Sequence, residues 1–373
     1  MPRAVFTGGG TAGHVVLNLA LIPRLIARGY DVAYIGSEGG IEQTMLADAF
    51  PDIPYYAVST GKLRRYFDWE NIKDPFRVLS GVVQAYRLLG RIRPDVVFSK
   101  GGFVAVPVVV AAWMRRIPVI AHESDLTPGL ANRLAFPFAR EVLVTFPETA
   151  ERLRHPKVKT VGGVVRDALF HGRAEEGRRL CRFDEGRDAR RGRAQPSKPV
   201  LLVTGGSLGA KKINDALRAR LDDYLQTFDI IHLTGEKGYD PALTRPGYCQ
   251  FAFAKAELPH LFAAADIAVS RAGANTLFEL AALAIPMLLI PLSRAQSRGD
   301  QIQNAESFRR QGLARVLEDE ALTPDTLFRE VQALYAERGA LGARLQAARK
   351  TLIASPDDIA RRIIRHAERN FQR

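Results

Sequence analysis

TGGGTAGHV, Thr7–Val15, and TGGSLGAKK, Thr204–Lys212, each follow a short apolar strand and each open a helix. Glycines at the end of a strand let backbone come close to a ligand. The helix behind them aims unpaired N–H groups and the positive end of its dipole at the same spot. One such turn marks a phosphate-friendly α/β unit. Two of them, almost two hundred residues apart, predict two α/β lobes facing each other across a cleft.

The surrounding pattern fits that reading. Arg3–Thr7 reads as a buried strand, and Leu19, Ile22, Leu25 and Ile26 form a helical stripe that stops at Gly29. Strands are expected at Asp31–Ile35, Asp95–Ser99, Pro118–His122 and Glu141–Phe146, with helical stretches between them. The second half repeats the plan at Val200–Thr204, Ile230–Thr234, Gln250–Ala254, Ile267–Ser270 and Met287–Pro291. Apolar strands alternating with helices predict parallel sheets covered on both faces. The break is expected near Val161–Val165, giving domains 1–163 and 164–355, with the last helix, 356–373, packing back on the first. Of the charged stretch before the second lobe, Arg187–Lys198 lacks interleaved aromatics and reads as a solvated loop rather than a nucleic-acid patch.

The 373 residues carry a formal net charge of +13. Residues 1–163 hold 20 Lys and Arg against 14 Asp and Glu, a net +6, so the remainder supplies +7 and the charge is no tail. A basic surface suits anionic partners: nucleic acid, anionic lipid or phosphorylated substrates. The two cysteines, Cys181 and Cys249, form no CxxC and no His/Cys cluster, which argues against a structural metal or a disulfide scaffold. The first strand begins within a few residues of Met1, leaving no room for a signal peptide, and the longest uncharged stretch, Gly101–Met114, is too short for a membrane span.

Gly8, Gly10 and Gly13 satisfy GxGxxG, but the position that would hold the ribose-binding acid of a dinucleotide site is occupied by Ile35 and Gly36, with Glu38 about two residues late. The motif places His14 at a helix start, as a cleft-facing group or as a polar cap. In SRAGANTLFELAALAIPMLLIPL, Ser270–Leu292, a strand ends at Ser270, Gly273 turns the chain, and Ala274–Glu279 begin a helix whose N-terminus suits a diphosphate. Glu279 lies on an otherwise apolar helix, where an unpaired carboxylate is costly, so it is read as a partner for ribose hydroxyls. Asp300 and Gln301 offer the directional donors and acceptors a sugar ring demands, or else act as N-cap residues.

With these motifs the chain resembles the MurG family, the UDP-GlcNAc transferases that convert lipid I to lipid II in peptidoglycan synthesis. The resemblance covers nearly the whole chain and is carried by GGGTAGH (Gly8–His14), KGGFVAVP (Lys100–Pro107), HESDLTPGLAN (His122–Asn132), GGVVR (Gly162–Arg166), GGSLGA (Gly205–Ala210), Ser270–Leu292 and DQIQNA (Asp300–Ala305). It implies the GT-B fold, two Rossmann-like domains with the active site in the cleft. It also implies no cofactor and no metal bound by the protein, any divalent cation being one the protein does not coordinate.

Position by position, the resemblance assigns UDP-GlcNAc to Arg166, Ser207, the backbone around Ala254, the helix start Ala274, Asn275, Thr276, Leu277 and Phe278, Glu279, and Asp300 with Gln301; Asp125 is a further donor position. Thr11, Ala12 and Gly13 adjoin both the donor and the place where the acceptor arrives, which Gly10, Lys100, Gly101 and Gly102 complete. His14 is the candidate base. Four departures from the family pattern stand out: Ala12 for glycine, His122-Glu123-Ser124-Asp125 for HEQN, GGVVR for GNPVR, and Asp300 for glutamine.

The implied reaction is an inverting transfer to the MurNAc hydroxyl of lipid I. The implied location is peripheral, on the cytoplasmic face of the bacterial membrane, with cell-wall synthesis proteins as possible partners and no nucleic acid. Lys62, Leu63, Arg64, Arg65, Tyr66, Phe67, Trp69, Lys73, Phe76 and Arg77 interleave basic and aromatic residues as an anionic membrane face requires; core aromatics in a solvated segment are the alternative. Rival functions are a GT-B UDP-sugar transferase acting on a lipid such as diacylglycerol, an NAD-dependent oxidoreductase, and a non-catalytic UDP-sugar binding protein.

Overall fold

Strand β1 (Arg3–Thr7) is buried from Ala4 to Thr7 and takes parallel partners on both sides, β2 (Asp31–Gly36) and β4 (Val96–Ser99). Around it, β3 (Tyr55–Ala57), β5 (Val119–Glu123), β6 (Glu141–Val144) and β7 (Val158–Thr160) complete a parallel sheet of order β3-β2-β1-β4-β5-β6-β7. The structure, a computed structural model, describes residues 1–61, 70–184, 197–206 and 209–371, the side chains of 70–76, 370 and 371 excepted. Contacts divide the chain into two units, Met1–Val164 with Ala354–Arg373, and Val165–Ile353. The short strand β8 (Gly163–Val164) belongs to neither large sheet.

The second unit carries β9 (Val200–Thr204), β10 (Asp229–Leu233), β11 (Tyr248–Phe251), β12 (Ile267–Ser270), β13 (Met287–Leu289) and β14 (Arg315–Val316), parallel in the order β11-β10-β9-β12-β13-β14. In each sheet the strand order reverses beside the strand that feeds a glycine turn, between β1 and β4 and between β9 and β12. Ligands of doubly wound sheets bind outside the carboxyl ends of strands at such a switch point. Both strands are buried over almost their whole length because helices cover the two faces of each sheet.

The local pattern is corrected in three places. The first helix, Val16–Ile26, buries Leu17, Leu21, Ile22 and Leu25, whereas Leu19 is only partly buried and Ile26 is 46% exposed. A short 3-10 turn, Ala12–His14, precedes the helix, so its buried stripe runs along 17-21-25 and 18-22-25 and Ile26 turns outward. Strands β10 and β11 begin before the apolar runs suggest. Gly247, at φ 82°, lends its carbonyl to Ile230 N–H, and the Arg178 guanidinium, 3.2 Å away, compensates the fully buried Asp229. Edge strands β3, β7 and β14 are only two or three residues long, too short to announce themselves by pattern.

The C-terminal helix, Pro356–Phe371, sits in the first unit, where Ile359, Ala360, Ile363 and Ala367 enter a core cluster with Leu21, Ile22 and Leu25. Its polar flank is tied by Arg24 and Arg28 to Asp357, both at 3.2 Å, and by Arg362 (2.7 Å) and His366 (3.0 Å) to Glu141. These partners hold the Glu141 carboxyl below the usual range, against the opposing effect of burial.

Both tryptophans, Trp69 and Trp113, lie in the first 164 residues, so indole fluorescence reports the first unit. Ile363→Ala is expected to lower the stability of that transition by about 2–4 kcal/mol in urea unfolding. An unchanged midpoint would mean that the helix does not share the unit's cooperative core.

Candidate active site

The first glycine turn is built by close backbone approach. A Cβ on Gly102, at φ 85°, would overlap the Gly9 carbonyl, and Gly9 N–H donates to Gly101 O at 3.2 Å. The Thr7–Gly10 and Lys100–Gly102 segments therefore nest, which glycine alone permits. Beneath them the buried Glu42 accepts from Gly10 N at 3.1 Å, Ser37 N at 2.9 Å and Ser37 Oγ at 2.5 Å, and Tyr34 Oη donates to Gly8 O at 2.6 Å. The Gly10 N–H is thus already engaged. Thr11 is exposed, and Ala12, Gly13 and His14 are half-buried.

His14 does not cap the helix that follows, since Val15 is its N-cap. Its Nδ1 lies 3.0 Å from Gly9 O and 3.1 Å from Thr11 Oγ1. A carbonyl only accepts, so Nδ1 carries the proton in the neutral ring and Nε2 keeps the lone pair. Lys100 is buried and donates from Nζ to Ser124 Oγ at 3.0 Å. Burial lowers its pKa, opposed by Glu123 and Asp125. Beside it, burial and then Lys100 hold His122 well below the usual histidine range. Glu123 shapes the next loop by accepting from Asp125 N, Gly129 N and Asn132 Nδ2, each at 3.0 Å.

In the second unit a cavity of about 730 Å³ is lined by Gly205, Gly206, Gly209, Ala210, Ser270, Gly273, Thr276, Gln301 and the bases Lys211, Lys212 and Arg271, among others. It lies at the sheet's switch point, beside the start of the helix Ala274–Ala282, whose N-cap is Gly273. Leu277 N–H already bonds to Gly273 O, and the side chains of Leu277 and Phe278 are buried in the core, Phe278 edge-on to Phe308. The helix therefore presents the N–H groups of Ala274, Asn275 and Thr276.

Glu279 is buried, and burial raises its pKa against the opposing Arg166. Arg166 Nε and Nη2 both donate to Glu279 Oε1, at 3.0 and 2.7 Å; among the described residues no hydrogen bond reaches Oε2. Neither residue lines the cavity. Asp300 and Gln301 are not N-caps: Gly299, at φ 81°, holds that position and Asp300 begins the helix Asp300–Arg310. Gln301 lines the cavity and accepts Leu292 N–H at 3.1 Å through Oε1. Ala254 is buried just beyond β11. Ser207, residues 62–69 of the basic-aromatic segment and 185–196 of the charged stretch lie outside the described residues. Among the described residues, no group of three or more His, Cys, Asp or Glu is placed to hold a metal.

Sequence reasoning passed over Glu42, Glu123, Asn132, Asn214 and Arg271. The acid two residues after Gly40 was the only local sign of Glu42; Glu123 and Asn132 partner each other within one loop, and the partners of Asn214 and Arg271 come from distant segments. Arg271 is buried on the cavity wall, 2.6 Å from Asp319 and donating to Ile290 O at 3.0 Å, with Lys212 on the far side of Asp319. Arg271→Ala is expected to destabilise the second unit by about 3 kcal/mol, at the low end for a broken buried pair because Lys212 remains. Arg271→Leu with Asp319→Leu should recover most of that loss in thermal unfolding. A single variant as stable as the parent would show the pair to be energetically idle.

Comparison with known proteins agrees with this architecture. The glycosyltransferase family 28 N-terminal domain matches residues 4–144 and the family 28 C-terminal domain residues 200–363. A Geobacillus kaustophilus protein described as UDP-N-acetylglucosamine--N-acetylmuramyl-(pentapeptide) pyrophosphoryl-undecaprenol N-acetylglucosamine transferase is 54% identical over 365 residues, 96% of this chain and 99% of that one. The Oceanobacillus iheyensis protein of the same description is 51% identical over 87% of this chain and 88% of its own. Among solved structures, Acinetobacter baumannii MurG superposes with a TM-score of 0.75 at 25% identity, covering 98% of this chain and all of the other. The calicheamicin glycosyltransferase CalG4, 15% identical, shares the fold at a TM-score of 0.71 over 99% of this chain and 99% of its own. Two parallel-sheet units of GT-B type, both family 28 domains and full-length relatives at over half identity make this chain a member of glycosyltransferase family 28 and, within it, of the MurG family.

Proposed function

We propose that this chain is an inverting hexosyltransferase that moves GlcNAc from UDP-GlcNAc to the MurNAc hydroxyl of undecaprenyl-diphosphate-MurNAc-pentapeptide (lipid I), forming lipid II for peptidoglycan. The observation that carries the reading is the cavity of the second unit, where a glycine turn, a helix N-terminus and Gln301 converge among three basic side chains. Its volume suits a small ligand and its charge suits a diphosphate. The Ala274–Thr276 N–H groups and the turn around Ser207 take the diphosphate. Arg166 and Glu279 take the ribose side, backbone near Ala254 the uracil, and Asp300 with Gln301 the sugar.

The first unit brings the acceptor and the base. The His14 ring has Nδ1–H turned to Gly9 O, so Nε2 is the atom that takes the proton. The acceptor oxygen forms its bond to the anomeric carbon as the bond from that carbon to UDP breaks, inverting the centre to β. The proton goes to His14, and UDP leaves with its charge met by backbone N–H groups and the helix dipole. No protein-bound metal takes part in this scheme.

A lipid acceptor also requires a membrane-facing surface, and we place it on the first unit. Leu79 (61%), Trp113 (55%) and Met114 (53%) are exposed on the two packed helices Glu70–Ile92 and Ala105–Met114. Beside them a cavity of about 740 Å³ is lined by Trp113, Phe138, Arg116, Arg140 and Arg369. No described helix is long and apolar enough to cross a membrane. Exposed apolar side chains, with arginines sharing a cavity with Trp113, suit peripheral attachment to an anionic leaflet.

His14→Ala is expected to cut GlcNAc transfer to a lipid I analogue by roughly a hundredfold and to remove the acidic limb of the pH profile. UDP affinity should stay near the parent value. Glu279→Ala should do the converse, weakening UDP by about 1.5–3 kcal/mol in calorimetry. Near-normal turnover without His14 refutes its role as base, and transfer to diacylglycerol in place of lipid I would overturn the assigned acceptor.

Attachment to anionic vesicles should weaken as salt rises, because surface charge is screened over about 10 Å at 0.1 M. Exchanging Arg116, Arg140 and Arg369 for Ser should abolish flotation with such vesicles. Flotation indifferent to salt and to these exchanges would move the membrane face elsewhere.

A further inference from the structure

Behind the second glycine turn lies a buried polar chain that no part of the reaction scheme uses. His232 on β10 has no exposed surface, and Tyr248, Asn214 and Thr234 around it are buried as well. Its Nδ1 is 2.9 Å from the Tyr248 hydroxyl and its Nε2 is 2.9 Å from Asn214 Oδ1, while Asn214 Nδ2 donates to Thr234 O at 2.9 Å.

The proton positions follow from these contacts. The Thr234 carbonyl only accepts, so the amide nitrogen of Asn214 must face it. That leaves Oδ1, another acceptor, toward the imidazole. Nε2 therefore carries the ring proton, and Nδ1 accepts from the Tyr248 hydroxyl. Burial, helped by Arg218, drops the His232 pKa to about 3, so the ring is neutral. Each link faces a group that accepts only one arrangement, and the chain has a single low-energy orientation.

Its end point is the loop that backs the glycine turn. A Cβ on Gly209, at φ 73°, would overlap Thr234 O, so the turn rests directly on the carbonyl that Asn214 holds. Asn214 is braced from its own helix as well, its N–H donating to Ala210 O at 2.9 Å. A Cβ on Gly238 would in turn overlap Asn214 Nδ2, which shows how closely the loop after Thr234 wraps the amide.

We propose that His232 is a positioning residue for donor binding: through Asn214 it locks the Thr234 carbonyl, and so the seat of Gly209 in the glycine turn on which the donor's diphosphate rests. This builds on the reading of that turn as the diphosphate site. The chain of bonds is neutral throughout, so it shapes the turn without setting a negative charge beneath an anion.

The test uses the full-length enzyme, UDP as the calorimetric probe, and UDP-GlcNAc kinetics with a lipid I analogue. His232→Ala is expected to weaken UDP by roughly tenfold, the loss of about one buried hydrogen bond. The KM for UDP-GlcNAc should rise by a similar factor, with kcat held within about twofold. His232→Gln, whose carboxamide keeps one donor and one acceptor, should restore affinity to within about threefold of the parent. The imidazole ¹⁵N spectrum of the wild-type chain is a second measurement that depends on no variant's folding. It should show Nε2 protonated and Nδ1 bare. The proposal is overturned by the opposite tautomer, by a folded His232→Ala chain that binds UDP like the parent, or by a loss in kcat with KM unchanged. Failure of the wild-type chain to bind UDP would instead bring down the donor-site reading, and the ¹⁵N spectrum would still decide the geometry of the chain.

Discussion

Backbone packed against backbone at two glycine turns fixes where the central strands end and the helices after them begin. At the first, Gly102 accommodates the Gly9 carbonyl; at the second, Gly209 accommodates that of Thr234. A side chain at either position would push the loops apart and carry the strand ends and helix starts with them. Several N–H groups of these loops are spent on the loops themselves, Gly9 on Gly101 O, Gly10 on Glu42 and Gly209 on Gly206 O, and this bonding with the close backbone approach leaves the turns no room to move.

The two turns share a topology but are held by different chemistry. The first rests on the carboxylate of Glu42, which takes the Gly10 N–H and both polar groups of Ser37. The second rests on a neutral chain of Tyr248, His232 and Asn214. An anion beneath a turn opposes an incoming anion across low dielectric, whereas a neutral amide does not. The bases Lys211, Lys212 and Arg271 around the second turn reinforce that contrast.

Buried charge is handled case by case. Arg271 and Asp319 compensate each other within the cavity wall, Arg178 compensates Asp229, and Arg362 with His366 compensates Glu141. Glu279 is different: Arg166 meets only one of its two oxygens, and burial still raises its pKa. Its other oxygen takes no hydrogen bond among the described residues and is the one left for the ribose hydroxyls of the proposed donor.

The amino-acid sequence alone determined the class of the fold and the places where ligand could meet backbone. Apolar runs of four or five residues followed by a glycine within a few positions specify buried parallel strands, and Ile267–Ser270 and Val200–Thr204 fall where their composition puts them. Motif spacing likewise pointed to the family. Tertiary structure decided what depends on neighbours distant in the chain. The edge strands β3, β7 and β14 exist because a sheet edge was there to pair with, and the helix stripe turned away from Ile26 because a 3-10 turn preceded it. The proton on His14 Nδ1 follows from the Gly9 carbonyl, the pairing of Glu279 from an arginine 113 residues earlier, and the tautomer of His232 from Asn214 and Tyr248. Hydrogen-bond partners and desolvation are properties of places in space, and a sequence states them only where the chain is local enough for spacing to imply contact.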